Sequence, residues 1–167
     1  MTRAALTHGD KVIATMRKPD SAKDLVALYP SSQLIVVPLD VAKHEQIKPA
    51  FAAAKAAFGR VDVVFNNAGY IVAGELESPA DDVARAEFEV NFWGAAHVSQ
   101  EAIRFFREEN VPQGGHLIQN SAACGLVGVP IIGWYTASKH GEGTHLLTGH
   151  GIMRAQYDQI SARGVHG

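Results

Sequence analysis

Tyr135 and Lys139 stand four residues apart in Tyr135-Thr-Ala-Ser-Lys139, a spacing that puts two side chains on one face of a helix. An ammonium beside a phenol favours the phenolate and draws an acidity ordinarily near pKa ~10 toward physiological pH. The product is a proton donor or acceptor suited to a carbonyl/alcohol couple. The spacing alone is unspecific, because the chain holds four Tyr and seven Lys, and an exposed pair on a solvated helix face is the bland alternative. What stands upstream gives it weight. Asn66-Asn-Ala-Gly69 closes one apolar run, Ser121 closes another, and Asn91 lies within Phe88-Glu-Val-Asn-Phe-Trp-Gly94.

Those residues need elements to hold them. Short apolar runs alternate with longer segments of helical period, the pattern of a parallel α/β sheet. Residues 11–16, 33–39, 61–65 and 116–120 read as strands. Residues 19–28, opened by Pro-Asp-Ser, read as a helix, and residues 81–109 as a long helical segment. Ile47, Phe51, Ala54 and Phe58 form an apolar stripe of helical period that Gly59 closes. Pro49 falls inside the stripe, so the helix either starts near it or kinks there. From Trp134 onward the chain should be helical, because Tyr135 and Lys139 need it.

The 167 residues suit one domain, and 47% hydrophobic with 19% charged residues is the make-up of a globular chain. A net charge of −2 gives no electrostatic case for nucleic acid or an acidic membrane. The single Cys124 cannot form an internal disulfide, which fits a reducing compartment, and no apolar run approaches a membrane span or a signal peptide. A cytoplasmic protein is the expectation. His140, His145 and His150 recur among glycines without a metal-binding spacing, so solvated imidazoles and no metal site are expected.

Between Asp10 and Lys139 the order of motifs resembles the short-chain dehydrogenase/reductase family. Lys11-Val-Ile-Ala-Thr-Met-Arg17 is similar to that family's second strand with its cofactor-selecting end, and Val36-Val-Pro-Leu-Asp40-Val41 to its third strand. Val61-Asp-Val-Val-Phe-Asn-Asn-Ala-Gly69 is similar to its Asn-Asn-Ala-Gly strand, and Gly115-His-Leu-Ile-Gln-Asn-Ser121 to its fifth. The resemblance implies a doubly wound, Rossmann-like parallel sheet. It implies Tyr135 as general acid/base, Lys139 as the cation that also holds ribose hydroxyls, and Asn91 as organiser of a water beside Lys139. Asp40 with Val41 would meet adenine, and Asn66, Ala68 and Gly69 would floor the adenosine–ribose site. Arg17 stands where an acidic residue would accept from the 2′-hydroxyl of NAD; an Arg suits a 2′-phosphate, so NADP is the expected cofactor and NAD the second choice. Each has a plain alternative: Asp40 as a cap, Asn91 bonding locally, residues 66–69 as a turn, Arg17 and Lys18 as solvated charges.

The family's serine, which stabilises the carbonyl oxygen, falls at the position of Ala122 here, and Ser121 stands one place earlier. A one-residue shift at a strand end turns a side chain to the other face. Either the following loop absorbs a residue and Ser121 serves, or that hydroxyl is absent, at ~10²–10³ in rate. Gly125-Leu-Val-Gly-Val-Pro130 resembles the substrate-facing loop.

Both ends depart from the pattern. The family's first strand and its pyrophosphate-binding glycine-rich turn are expected ahead of Met1, and residues 3–10 resemble the end of the helix after that turn. The first strand lies between the second and the fourth in the doubly wound order, so here those two must pair with each other or stay apart. After Lys139 six glycines weaken the helix, and Ile152-Met153 is too short for a buried strand. The expectation is a partial NAD(P)-binding domain over residues 1–140 and an atypical tail over residues 141–167, with neither dehydrogenase activity nor tight NADPH binding in the chain by itself. Three readings stay open: an alcohol/carbonyl oxidoreductase, a catalytically silent fragment, and an epimerase or dehydratase of the extended branch, against which the Asn66–Gly69 tetrapeptide speaks. The first implies a small-molecule alcohol or ketone substrate and is compatible with a homo-oligomeric parent.

Overall fold

The computed structural model describes residues 1–148, with side chains described to residue 144. The readings on Ile152-Met153, on the side chains of His145 and His150 and on the rest of the tail lie outside the described residues. Helix α1 (Thr2–His8) ends on Gly9 in the left-handed conformation that glycine adopts freely, the helix end expected there. Strand β1 (Val12–Met16) follows and pairs in parallel with β2 (Leu34–Pro38), Val12 opposite Leu34 and Met16 opposite Pro38. The expected helix between them is broken. A single 3₁₀ turn (Pro19–Ala22) leads into the one-turn α2 (Lys23–Val26), and no side chain caps either piece.

Helix α3 (His44–Phe58) carries the expected stripe inward, burying Ile47, Phe51 and Ala54. Pro49 sits inside this helix rather than at its start, and the helix ends on left-handed Gly59. Strand β3 (Val63–Asn66) pairs in parallel with β4 (His116–Gln119), Asn66 opposite Gln119. Between them runs one helical path in three parts: α4 (Asp81–Phe88), a π-helical stretch (Glu89–Gly94) and α5 (Ala95–Glu108). Finally α6 (Gly133–Thr148) carries Tyr135 and Lys139. The expected weakening at Gly141 does not end it, and Gly141 packs under Phe92, where a Cβ would stand 3.2 Å from the ring.

The four strands form two separate two-stranded parallel sheets, β1–β2 and β3–β4. Of the two outcomes open to β1 and β3, the second occurs: they do not pair with each other. The main core lies between α3, α5 and the strand ends, with Phe105 and Phe106 at its centre beside Ile47, Phe51 and Val98. A smaller cluster of Leu6, Ala14 and Leu34 sits under α1. Alternation gives β3–β4 one packed face, Val64 and Leu117, and one open face on which Val63 is 51% and Ile118 45% exposed. Buried Asn110 ties β3 to the turn before β4, accepting from Val61 N–H and donating to the carbonyls of Val61 and Gly114.

Candidate active site

Chain geometry brings the ends of β3 and β4, the π-helical stretch and the first turns of α6 together. A π turn is wider than an α turn and recurs where a helix must aim a side chain. Here it presents Asn91, fully buried, to the segment after β3. Asn91 Oδ1 accepts from Tyr70 N–H at 3.0 Å, and Nδ2 donates to Tyr70 C=O at 2.8 Å and to Ser138 Oγ at 3.2 Å. Ser138 donates in turn to the Tyr135 carbonyl at 2.7 Å, so Asn91 reaches α6 through a hydroxyl. Gly94 makes this approach feasible; a Cβ there would stand 2.8 Å from Val41.

Lys139 and Tyr135 share a face as the spacing requires, with Nζ 6.0 Å from the ring centroid. The ammonium is buried and already engaged. It donates to Glu142 Oε2 at 2.7 Å and to the Asn120 carbonyl at 3.0 Å. Glu142 Oε1 accepts from the Gln119 side chain at the end of β4. The expected acid shift of Tyr135 is therefore reversed. Burial pushes the phenol above its ordinary value, and the neighbouring Cys124, Glu142 and Glu87 push the same way. Nothing in the sequence-level argument placed a carboxylate on the lysine.

Ser121 follows β4 and is exposed, its Oγ lying against Gly125, where a Cβ would stand 3.2 Å from it and 3.1 Å from the Lys139 carbonyl. The 3₁₀ turn Ala123–Gly125 buries Cys124 and leads to the loop that exposes Leu126 and Val127. Gly69 comes close to the polar tips: a Cβ on it would be 3.2 Å from Asn91 Oδ1 and 3.6 Å from Lys139 Nζ. Bare backbone here leaves that space to a ligand. Ala68 and Gly69 are exposed.

The other expected site residues differ in availability. Asn66 is buried and turned inward, donating to the Ala95 carbonyl at 2.8 Å and to Ser99 Oγ at 3.3 Å, so its side chain fixes β3 to α5. The Val41 side chain belongs to the main core. Asp40 Oδ1 accepts from Ala42 N–H at 3.2 Å, a local turn and not the helix cap that was its plain alternative, and the carboxylate remains partly exposed. Arg17 is exposed just past the end of β1, close enough to Tyr70 to pull its phenol downward against the larger upward effects of burial and Glu87. Arg17 and the segment after β3 thus open on a common region.

Sequence reasoning missed Glu87, Ser138 and Glu142. Glu87 is fully buried, accepting from Val72 N–H at 3.0 Å through Oε1 while Oε2 has no partner. Burial raises its pKa above the ordinary carboxylate value, opposed by the Val72 bond. The signal for Glu142 was present, since it stands three residues after Lys139 and side chains at that spacing meet on a helix. Among the described residues no three His, Cys, Asp or Glu side chains converge as a metal site, and no helix is long and apolar enough to cross a membrane.

The strand–helix order, the parallel pairing and this cluster define an α/β domain of the dinucleotide-binding type. The sequence profile described as short chain dehydrogenase matches residues 1–165, and the chain belongs to that family. It is 37% identical over 139 residues to an uncharacterised oxidoreductase of Schizosaccharomyces pombe, covering 83% of this chain and 45% of that protein. A short-chain dehydrogenase of Streptomyces avermitilis superposes with a TM-score of 0.79 at 28% identity, covering 96% of this chain and 56% of that one. A Burkholderia phymatum member solved with NAD superposes with a TM-score of 0.70 at 25% identity, covering 92% of this chain and 52% of its own. The chain spans about half the length of the curated relatives it matches.

Proposed function

We propose that this chain carries the proton-transfer centre of an NADP(H)-preferring oxidoreductase that interconverts an alcohol and a carbonyl. The observation that carries the reading is the convergence of Tyr135, Lys139, Asn91 and the bare backbone of Gly69 in one region. The residues fit a nicotinamide dinucleotide at its two ends. Lys139 and Gly69 suit a ribose, Asp40 and the Val41 backbone suit adenine, and Arg17 suits a 2′-phosphate. The bound dinucleotide supplies the hydride. Tyr135 donates its phenolic proton to the oxygen of the carbonyl during reduction and takes it back during oxidation. Lys139 orients the ribose and stabilises the phenolate. Asn91 fixes the Tyr70 backbone and, through Ser138, the start of α6, so it positions Tyr135. Ser121 would supply the hydroxyl donor to the carbonyl oxygen.

The test is a chimera in which residues 1–148 are continued at both ends by the flanking sequence of the Streptomyces avermitilis dehydrogenase. Ketones and aldehydes are offered with NADPH deuterated at the nicotinamide C4, and the products are examined by mass spectrometry. Deuterium on the former carbonyl carbon is the expected result. Oxidation of the nucleotide without deuterated alcohol, or no reaction across the panel, would remove the assignment.

A second reading, a catalytically silent chain, is favoured by one specific contact, the buried pairing of Lys139 with Glu142.

A further inference from the structure

Lys139 presents its ammonium to two acceptors, Glu142 Oε2 at 2.7 Å and the Asn120 carbonyl at 3.0 Å, while the Tyr135 ring centroid is 6.0 Å away. The Glu142 carboxylate is held from its other side as well, by the Gln119 side chain. Gln119 is the last residue of β4, opposite Asn66, and its Oε1 lies 3.5 Å from Ser99 Oγ. Ser99 is anchored to the Ala95 carbonyl at 2.7 Å. The carboxylate is therefore fixed between α6, β4 and α5 rather than swinging in solvent. Its side chain is 3% exposed and that of Lys139 5%, so water screens neither charge.

A buried cation touching a buried anion acts on a more distant group as a dipole, and most of its field cancels. We infer that Glu142 is a positioning residue that claims the Lys139 ammonium and cancels most of its field at Tyr135, restraining the proton-transfer pair. The inference rests on Tyr135 and Lys139 being that pair. The groups facing the phenol agree with it. Cys124 from the 3₁₀ turn, Glu87 from α4 and Glu142 from α6 each disfavour the phenolate, and the Lys139 charge does not offset them. Glu142 stands where a neutral residue would leave Lys139 its charge and only the Asn120 carbonyl as partner.

The experiment is an ultraviolet titration of tyrosinate in the 167-residue chain, with Tyr135→Phe subtracted to isolate Tyr135 from the other three tyrosines. In Glu142→Gln the phenol should ionise at least about one pH unit lower than in the unsubstituted chain, because one unit charge is unmasked within ~6 Å. Lys139→Met alone should move it the other way, upward, because it leaves the Glu142 charge uncompensated, and the double variant Lys139→Met/Glu142→Gln should cancel the Glu142→Gln shift. Glu142→Asp, which keeps the charge, is the second variant should Glu142→Gln lose its fold; it should leave Tyr135 where it was. An unmoved Tyr135 in Glu142→Gln overturns the inference, as does a phenol that titrates like free tyrosine in every variant. The chimera separates this from the function itself. Faster carbonyl reduction in its Glu142→Gln form supports both claims. A shifted phenol with unchanged turnover supports the restraint and removes Tyr135 from catalysis.

Discussion

The β1–β2 half and the β3–β4 half of the molecule handle polar residues in opposite ways. In the first, Arg17 is exposed and Asp40 partly so, and the core beneath β1 is the small cluster of Leu6, Ala14 and Leu34. In the second, Asn66, Glu87, Asn91, Ser99, Ser138, Lys139 and Glu142 are buried and bonded to one another or to backbone. One half keeps its functional groups in water, free to meet a ligand. The other commits them, since a buried polar group without a partner costs about 1–3 kcal/mol. Availability and order are bought against each other. Lys139 shows the tension, because the burial that orients it also hands it to Glu142.

That contrast can be broken or sharpened by substitution. The largest effect is expected at the main core. Phe105 is 1% exposed and packs on Phe51 at 5.6 Å between centroids, so Phe105→Ala should cost ~3–5 kcal/mol. Leu6→Ala in the smaller cluster should cost about 2 kcal/mol, at the low end for such truncations. Urea unfolding of both variants checks this. Equal losses would mean that the two halves are one cooperative core.

A smaller effect is expected at Arg17. In the chimera, NADPH should bind at least ~10-fold tighter than NADH, about 1.4 kcal/mol, and Arg17→Glu should erase the difference. Fluorescence titration of both nucleotides measures it. An equal loss for both would leave Arg17 a general surface charge.

The smallest effect is a slope. Glu87 has a raised pKa in the folded state, so the folded state holds its proton more tightly than the unfolded one. Stability on its account is intact below the ordinary carboxylate range and falls as pH rises through the folded value. Glu87→Gln removes the charge and should flatten that fall, narrowing the Tm difference between acidic and neutral pH by a few degrees, at about 2–4 °C per kcal/mol for a chain of this size. Calorimetric scans across pH read it. Parallel Tm profiles for the two proteins would place the Glu87 carboxylate in water.

Much of this was legible in the sequence. The apolar runs at residues 11–16, 33–39, 61–65 and 116–120 matched the four described strands within a residue or two, and the stripe from Ile47 to Phe58 matched α3. The shared face of Tyr135 and Lys139 followed from spacing alone. Other features depend on contacts that no local pattern encodes. The π turn at Glu89–Gly94 arises where Gly94 meets Val41, a meeting of residues far apart in sequence. Gly141 sits against Phe92, where a Cβ would be crowded, a contact between residues far apart in sequence. Asn66 could face ligand or core, and Ala95 with Ser99 decided it. The capture of Lys139 was half visible. Spacing allowed both Tyr135 and Glu142 as partners, and burial chose the carboxylate.

The central claim is that Tyr135 is the group that moves the proton. Replacing it with Phe in the chimera keeps the ring and deletes only the hydroxyl. NADPH-dependent carbonyl reduction should then fall by ~10²–10⁴-fold while NADPH affinity stays within about twofold. A Tyr135→Phe chimera that reduces substrate at the parent rate would contradict the account.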